Sequence, residues 1–367
     1  MSNVLLEYIW LDGYKTPNLR SKTKVVKYSD ISMSYSDLPE LQSLPEWNFD
    51  GSSTAQAPGA DSECVLIPVR VYKWSQDHYF VICEVYDNAG SPHPTNTRSA
   101  LRENSNQFMS QVFWWGFEQE YFVTKDHQPL GFPVNGYPPP QGLYYCGVGG
   151  NQVVGRTFVE KHLKKCLSMG IELTGINAEV AVGQWEYQCF AKDTLKACDD
   201  LWVSRYALYR MAEDHGWDIN LSPKPVDGDW NGSGCHTNFS TNWMRSGGGG
   251  KARYLSLFQR MEARHQKHIS AYGEGNHKRL TGLHETQHID KFSWGVGDRG
   301  ASIRIPMATA NDGYGYLEDR RPGANSDPYL VAARLLTTIC DLDESLFYYG
   351  KDDVSIQREI DFAFTQT

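Results

Sequence analysis

The 367-residue chain lacks several features that would assign it to a particular class of protein. It has no apolar run near the roughly 20 residues of a membrane-spanning helix, and residues 1–13 carry neither a basic leader nor a small-residue cleavage site. Basic runs are absent and the formal net charge is -9, which argues against a nucleic-acid-binding surface. The sequence therefore predicts a cytoplasmic protein that binds neither membrane nor nucleic acid.

Cysteine is present, but the spacing of the cysteines does not indicate a disulfide framework. The eight cysteines are scattered along the chain, and no CxxC pair occurs. This spacing favours reduced, buried thiols over disulfides or a zinc site. Internal repeats are also absent, and the GGGG at 247–250 indicates a loop tip.

The chain is longer than one hydrophobic core usually grows, which predicts two domains. Residues 1–86 alternate strand-like runs with turn-rich segments, and residues 87–98 form a loop dense in Pro, Gly, Asn and Ser. Beyond this predicted linker, residues 99–367 mix amphipathic helices with strands in no regular alternation. That mixture is typical of an α+β fold in which helices pack on one side of a sheet.

Hydrophobic periodicity predicts where the individual elements lie. Helices are predicted at Thr97–Gln107, Thr157–Ser168, Leu195–His215, Ala252–Tyr272 and Pro328–Ser345. Strands are predicted at Val4–Leu11, Thr23–Val26, Cys64–Val71 and His78–Val85, and then at 113–124, 176–190, 234–240, 301–305 and 314–318.

The segment GFEQEY at 116–121 carries two acids inside a strand that otherwise looks like core. Glu118 and Glu120 are two residues apart, so their side chains point to the same face of the strand. Two neighbouring carboxylates raise each other's pKa and do not both stay ionised unless a positive charge lies between them. The segment therefore calls for a cation, a basic partner or a shared proton.

Other predicted strands of the larger region repeat this pattern. In NAEVAVGQWEYQC, a turn or bulge at Gly183 would bring Glu179 and Glu186 to one side. His236, Asn238 and Ser240 share one face of GCHTNFS. Further along, ASIRIP and GYLEDRRP add ionisable side chains to the predicted strands, namely Arg304, Glu318, Arg320 and Arg321.

The acids and the arginines together indicate that the site binds metal ions and an anionic molecule. Glutamates with one histidine and no thiolate are hard ligands, which suit Mg²⁺ or Mn²⁺ better than zinc or copper. Five carboxylates exceed the needs of one ion, so we expect two or more ions that bridge phosphate oxygens. The arginines would hold the same phosphates and a substrate carboxylate through forked hydrogen bonds.

With these residues in place, the chain resembles the glutamine synthetase family in its short type II form over roughly residues 5–345. Seven ordered blocks carry the resemblance: WNFDGSST at 47–54, PQGLYYCGVG at 140–149, INAEVAVGQWEYQ at 176–188, PKPVDGDWNGSGCHTNFST at 223–241, RLTGLHET at 279–286, DRGASIRIP at 298–306 and GYLEDRRPGANSDPYLV at 315–331. The resemblance implies an N-terminal β-grasp domain and a catalytic domain with a curved antiparallel sheet backed by helices.

The resemblance also implies a reaction and its cofactors. ATP, L-glutamate and ammonia would give L-glutamine, ADP and phosphate through γ-glutamyl phosphate, with two to three Mg²⁺ or Mn²⁺ ions at each site. One ion would be held by Glu120, Glu179 and Glu186 at the glutamate end. The other would be held at the nucleotide phosphates by Glu118, His236 and Glu318.

The remaining roles follow from the same resemblance. Phosphate and transition-state contacts are expected from Arg299, Arg304 and Arg321, and glutamate carboxylate contacts from Arg279 and Arg320. A glutamate loop is expected at Trp230, Asn231 and Gly232, with Arg299 also near the substrate. Nucleotide contacts are expected from Glu118, Glu186, Asn238, Phe239, Ser240 and Tyr316.

Two acids are expected to act on ammonium. Asp50 in WNFDGSS resembles the family residue that binds and deprotonates ammonium in the site of a neighbouring subunit, which implies a ring assembly, expected as two stacked pentamers. Glu285 in TGLHET resembles the acid of a flap that closes over the intermediate. A ligase that uses another amine and a catalytically silent ring-forming relative remain as alternative hypotheses.

Overall fold

The computed structural model describes residues 3–140, 142–247 and 250–341, with the side chains of 250–252 excepted. The end of the predicted helix Pro328–Ser345 and the remainder of the chain to residue 367 lie outside these ranges. Within them, none of the helices is both long enough and apolar enough to cross a membrane.

The first sheet contains five strands, all within residues 3–86: β1 (Asn3–Leu11), β2 (Leu19–Lys27), β3 (Trp47–Asp50), β4 (Glu63–Ser75) and β5 (His78–Tyr86). Their order is β2-β1-β5-β4-β3, and only the central pair β1 and β5 is parallel. The four predicted strands are confirmed. The short β3 was missed because four residues between turns carry little periodicity.

The second sheet has nine strands: β6 (Trp114–Lys125), β7 (Gln128–Pro129), β8 (Leu173–Ala178), β9 (Gln184–Ala191), β10 (Asp218–Asn220), β11 (Cys235–Ser240), β12 (Trp294–Val296), β13 (Ile303–Ile305) and β14 (Leu317–Asp319). Its main order is β12-β13-β14-β11-β6-β9-β8, with β7 and β10 also paired to β6. The predicted antiparallel sheet needs one correction, because β12 and β13 are parallel.

The predicted segment 176–190 is a hairpin and not one strand. β8 and β9 pair antiparallel, and the chain reverses between Ala178 and Gln184. Gly183 has a φ of +79°, which a residue with a side chain rarely adopts. The turn expected at this glycine is therefore confirmed.

Eight α-helices lie in the described ranges: α1 (Thr97–Gln107), α2 (Arg156–Ser168), α3 (Thr194–Glu213), α4 (Asn242–Arg245), α5 (Gly250–Ala263), α6 (His265–Ala271), α7 (Met307–Asp312) and α8 (Pro328–Ile339). The predicted helix Ala252–Tyr272 was wrong as one helix. At Arg264 the backbone leaves the helical region, with φ -107° and ψ 15°, and separates α5 from α6.

Helices α2 and α3 pack on one face of the second sheet, α8 packs against α3, and the first sheet also packs against α3. Phe80 in β5 meets Tyr206 edge to face with ring centroids 5.0 Å apart, and Tyr72 donates a hydrogen bond of 2.7 Å to Asp200. One hydrophobic cluster therefore runs from the first sheet into the larger region, and a second lies within residues 4–85. The division into domains at 87–98 stays a prediction.

Candidate active site

The uncovered face of the second sheet carries polar side chains on five adjacent strands. Strand register places Glu120 opposite Glu186, Glu118 opposite both Gln188 and His236, and Glu318 opposite both Asn238 and Arg304. Directly paired residues point to the same face of a sheet. The pairing therefore gathers side chains that are separated by up to 200 residues in sequence.

The acids converge around His236. Its Nδ1 lies 3.5 Å from a Glu118 oxygen and 3.6 Å from a Glu318 oxygen, and its Nε2 lies 3.8 Å from a Glu120 oxygen. Ligand atoms of Glu118, Glu186 and His236 all lie within 4.8 Å of one another. This trio contains members of both predicted ion sites, so the division of ligands between two ions stays a prediction.

Burial makes this cluster costly to ionise. Burial, with the neighbouring charges of Glu120, Glu118 and Glu179, raises the pKa of Glu186 to about 9. Burial also raises the pKa values of Glu120 and Glu179, although Arg279 acts in the opposite direction on Glu120. Buried acids of this kind are stabilised as carboxylates by a cation, and their oxygen-rich donor set fits hard divalent ions.

Three arginines lie next to the acid cluster. Arg304 and Arg320 each place an Nη1 2.7 Å from a different oxygen of Glu318. Arg279 is buried, and its Nη2 lies 2.9 Å from Nε2 of His236. Burial lowers the pKa of Arg279 to about 10. The positively charged arginines therefore lie next to the carboxylates. This arrangement can bind an anionic substrate beside metal ions.

Glycine in NGSG lets the chain pass close to this arginine. A Cβ placed on Gly234 would lie 2.5 Å from Nη2 of Arg279, and one on Gly232 would lie 2.7 Å from its Cγ. Both distances are shorter than real contacts allow. The glycines therefore leave the space in which the guanidinium group reaches His236.

Two loops complete a cleft of about 530 Å³ above the acids. One loop contributes Asn231 and Gly232, and the other contributes Glu285. Arg299 also lines the cleft, and its carbonyl accepts a 3.0 Å hydrogen bond from Nε of Arg320. The cleft brings together many of the residues predicted for metal and substrate, namely Glu118, Glu120, Glu179, Glu186, His236, Asn231, Gly232, Arg279, Glu285, Arg299, Arg304 and Arg320.

A second cavity of about 630 Å³ adjoins the cleft and shares Glu118 and Gln188 with it. Its walls include the predicted residues Asn238, Phe239, Ser240 and Tyr316. They also include aromatic and basic residues that the sequence analysis did not select, namely Trp114, Phe190, Tyr314 and Arg245. The run FWW before GFEQEY was the available signal for Trp114.

The additional residues form one packed wall. The guanidinium carbon of Arg245 lies 4.1 Å from the centroid of a Trp114 ring, and Trp114 meets Phe190 edge to face. Arg245 also donates 2.9 Å hydrogen bonds to the carbonyl and hydroxyl oxygens of Ser240. Aromatic and guanidinium faces of this kind can stack on a planar heterocycle.

The structure corrects one predicted contact, that of Arg321, and two further predicted residues have side chains that pack mainly against the protein. Arg321 does not enter the cleft, because its guanidinium group pairs with Asp319 on the helix-covered face at 2.7 Å and 2.9 Å. The Trp230 side chain packs away from the cleft, 5.2 Å from the ring of Phe132. Phe239 borders the second cavity, but it is 1% exposed and belongs to the hydrophobic core.

Asp50 lies outside both cavities of its own chain. Its carboxylate accepts hydrogen bonds from the backbone and hydroxyl of Ser52, at 3.0 Å and 2.6 Å, and from the hydroxyl of Ser53 at 3.0 Å. These hydrogen bonds lower the pKa of Asp50. The residue is exposed at the end of β3, so a role in a neighbouring copy stays a prediction.

Comparison with known proteins adds independent support. The family model "Glutamine synthetase, catalytic domain" matches residues 94–248. A glutamine synthetase of Bradyrhizobium diazoefficiens is 50% identical over 347 residues, which is 92% of this chain and 97% of the relative. A glutamine synthetase of Emericella nidulans is 48% identical, over 92% of this chain and 93% of the relative.

One relative from a plant and one solved structure extend the comparison. The cytosolic isozyme 1-1 of Oryza sativa is 46% identical over 91% of this chain and 93% of the relative. The structure of apo GmaS without ligand has a TM-score of 0.70 and 20% identity, over 97% of this chain and 82% of that one. This last likeness concerns the fold alone. By its sequence identity over nearly the whole chain, the protein belongs to the glutamine synthetase family, a family of ATP-dependent glutamate–ammonia ligases.

Proposed function

We propose that the described residues bind ATP and glutamate in the two cavities and catalyse the ATP-dependent joining of glutamate to ammonia. The observation that carries the proposal is the single sheet face on which carboxylates, His236 and arginines meet between two cavities. The aromatic cavity would hold the nucleotide base, and the acidic cleft would hold glutamate. The boundary between the two cavities, which Glu118 and Gln188 line, would then lie next to the transferred phosphate.

The site has to bring two anions, ATP and glutamate, into contact, and the arginines would offset their negative charges. Arg279 and Arg320 would orient glutamate, whereas Arg299 and Arg304 would contact the transferred phosphate. An oxygen of the glutamate side chain forms a bond to the γ-phosphorus, and the bond to the oxygen of ADP breaks. Fixed positive charge stabilises such a step because little reorganisation is needed when charge moves.

Divalent ions fit the donor set described above, and we propose Mg²⁺ or Mn²⁺ on the predicted ligands. Those ligands are Glu118, Glu120, Glu179, Glu186, His236 and Glu318. Ions bound there would screen the repulsion between the phosphate oxygens and the glutamate carboxylate. The protein itself supplies acids whose pKa values are raised by burial, so a bound cation would displace their protons and stabilise them as carboxylates.

The second half of the reaction needs a proton acceptor and a dry site. Ammonia forms a bond to the acyl carbon, the bond to phosphate breaks, and the nitrogen gives up a proton. Glu285 lines the cleft from the flap, defined here as residues 281–288, and would take that proton. The flap would also exclude water, which hydrolyses an acyl phosphate.

The position of Asp50 favours an active site that is shared between copies of the chain. Its carboxylate is exposed and lies outside the cleft of its own chain, so we propose that it binds ammonium in the site of a neighbouring copy in a decamer. The cytoplasm is the proposed location, which the rice relative named as a cytosolic isozyme supports.

One assay tests the reaction and its acceptor. Purified protein with ATP, Mg²⁺ and glutamate is given ammonia, hydroxylamine or an alkylamine, and phosphate release is measured. We expect release with ammonia and with hydroxylamine. Release with alkylamines but not with ammonia would favour a ligase for another amine, and no release with any acceptor would indicate a silent relative.

A further inference from the structure

A short contact between a histidine and a carboxylate joins the two loops that close the cleft, and none of the roles proposed above involves this contact. Nε2 of His284 lies 2.9 Å from Oδ1 of Asp229. Asp229 directly precedes the proposed glutamate loop at 230–232, and His284 directly precedes Glu285 in the flap. The pair therefore connects the loop proposed to bind glutamate with the loop that carries the proposed proton acceptor.

The flap is fixed at its base and strained at its tip. Thr281 and His288 form an antiparallel bridge at the base. At the tip, His284 and Glu285 have φ values of +51° and +58°. Residues other than glycine keep this left-handed conformation only where contacts hold them in it. Contacts that reach the tip from elsewhere in the described chain are the pair with Asp229 and a 3.4 Å hydrogen bond from Arg320 to the Glu285 carbonyl.

Asp229 is the fixed partner of the pair. Its neighbour Trp230 is 6% exposed and packs against Phe132, and the Trp230 amide donates a 2.8 Å hydrogen bond to the Gly228 carbonyl. Lys224 also donates a hydrogen bond to the Trp230 carbonyl. The Asp229 backbone is thus held against the body of the protein, although its side chain is 86% exposed. An interaction with this carboxylate acts mainly on the position of the flap.

We propose that Asp229 and His284 form a latch that positions the flap over the acyl phosphate. This inference rests on the proposed function, and both residues are positioning residues because neither is assigned to the reacting atoms. When the latch is closed, ammonia is the nucleophile that reaches the acyl carbon. When the flap opens, water attacks instead, and the products are glutamate and phosphate without glutamine.

The size of the effect follows from the exposure of the Asp229 carboxylate. A hydrogen-bonded or ionic contact with an exposed carboxylate changes a local equilibrium by a factor of about two to five. Asp229→Ala should therefore raise the phosphate that is released without glutamine by about two- to fivefold. Turnover at saturating ammonia should change little, because ammonia then reacts before water does.

The test measures phosphate and glutamine in the same sample at saturating ATP and glutamate while ammonia is reduced. Asp229→Ala, His284→Gln and the double variant are compared with Asp227→Ala as the matched control. Asp227 is an exposed acid two residues away, and it forms no ion pair within 4.0 Å in the described part of the chain. We expect a raised phosphate-to-glutamine ratio in both single variants, no further rise in the double variant, and the wild-type ratio in Asp227→Ala.

Asp229→Asn separates positioning from general damage to the loop. The asparagine oxygen can still accept a hydrogen bond from Nε2–H of His284, so this variant should leak less phosphate than Asp229→Ala. An unchanged ratio in Asp229→Ala, an equal rise in Asp227→Ala or additive effects in the double variant would overturn the latch. A wild-type protein that makes no glutamine would overturn the proposed function instead, so the two failures are distinguishable.

Discussion

Arg304 and Arg321 are the same residue type at one edge of the same sheet, yet they face opposite sides of it. Arg304 pairs in register with Glu318 and points into the cleft with it. Asp319 is the next residue, so it points to the helix-covered face, where it binds Arg321. Alternation along β14 therefore assigns one arginine to the site and the other to the core.

This difference predicts different consequences for matched substitutions. Arg321→Met leaves Asp319 buried without its cation, and we expect a loss of about 3–5 kcal/mol in the free energy of unfolding. Arg304→Met leaves Glu318 paired with Arg320, so the stability loss should be nearer 1 kcal/mol while glutamine formation falls strongly. Urea unfolding and turnover of both variants check this. Equal stability losses would contradict the assignment by face.

At the scale of the element, the hairpin of β8 and β9 sets the distance between two acids of the cleft. Glu179 lies in the turn and Glu186 lies in β9. The turn packs tightly, because a Cβ on Gly183 would lie 2.5 Å from the Leu130 carbonyl oxygen. The geometry of the acid cluster thus depends on one backbone position that carries no functional group.

Gly183→Ala should displace this hairpin. The added methyl group meets backbone in a left-handed conformation, so we expect a stability loss of about 2 kcal/mol or more. Weaker activation by Mg²⁺ should accompany the loss. Gly136 is the matched control, because its φ is +91° but no atom lies within 4 Å of an added Cβ. Gly136→Ala should show only the smaller cost of the strained conformation, as measured by urea unfolding and metal titration.

The break between α5 and α6 shows where periodicity fails as a guide to elements. Apolar residues continue at helical spacing through Arg264, so the sequence predicts one helix. In the structure, the change of direction brings His265 to the Ile289 carbonyl at 2.7 Å and to Arg321 at 3.1 Å. Long-range polar contacts decide this break, and a local pattern contains no information about them.

At the scale of the whole molecule, the first sheet has two surfaces with different partners. One surface contacts α3, where Arg70 of β4 binds the buried Asp199, which also binds Arg98 of α1. The end of β3, by contrast, leaves Asp50 exposed to solvent. The first sheet is therefore held firmly to its own chain while it presents the proposed ammonium ligand outward.

Subunit mixing tests whether Asp50 acts in a neighbouring copy. Asp50→Ala and Glu285→Ala should each be nearly inactive alone. If each site takes Asp50 from one copy and Glu285 from another, random mixing after dissociation should restore about a quarter of the sites. Activity of the mixture is measured against each unmixed variant after the same treatment. Recovery no greater than that of the unmixed variants would place both acids in one chain.

The sequence by itself determined the elements with clear periodicity and the residue types of the site. Glu118 with Glu120, the acids around Gly183 and the face of His236 could be predicted because strand alternation is a local property. Family motifs extended these residues to a reaction. Residue types and spacing were therefore sufficient to predict a site for divalent ions and an anionic ligand, whereas the reaction itself came from the resemblance to the family.

Tertiary structure alone decided which of these side chains meet. Several such contacts join segments that are distant in sequence. They are the pairing of β6 with β9 and β11, the contact of the buried Arg321 with His265, the packing of Trp230 against Phe132 and the contact of Asp229 with His284. Each depends on sheet register and on packing between elements, which local propensity does not specify. Strand register and packing thus determine which of the acids and arginines lie next to one another in the site.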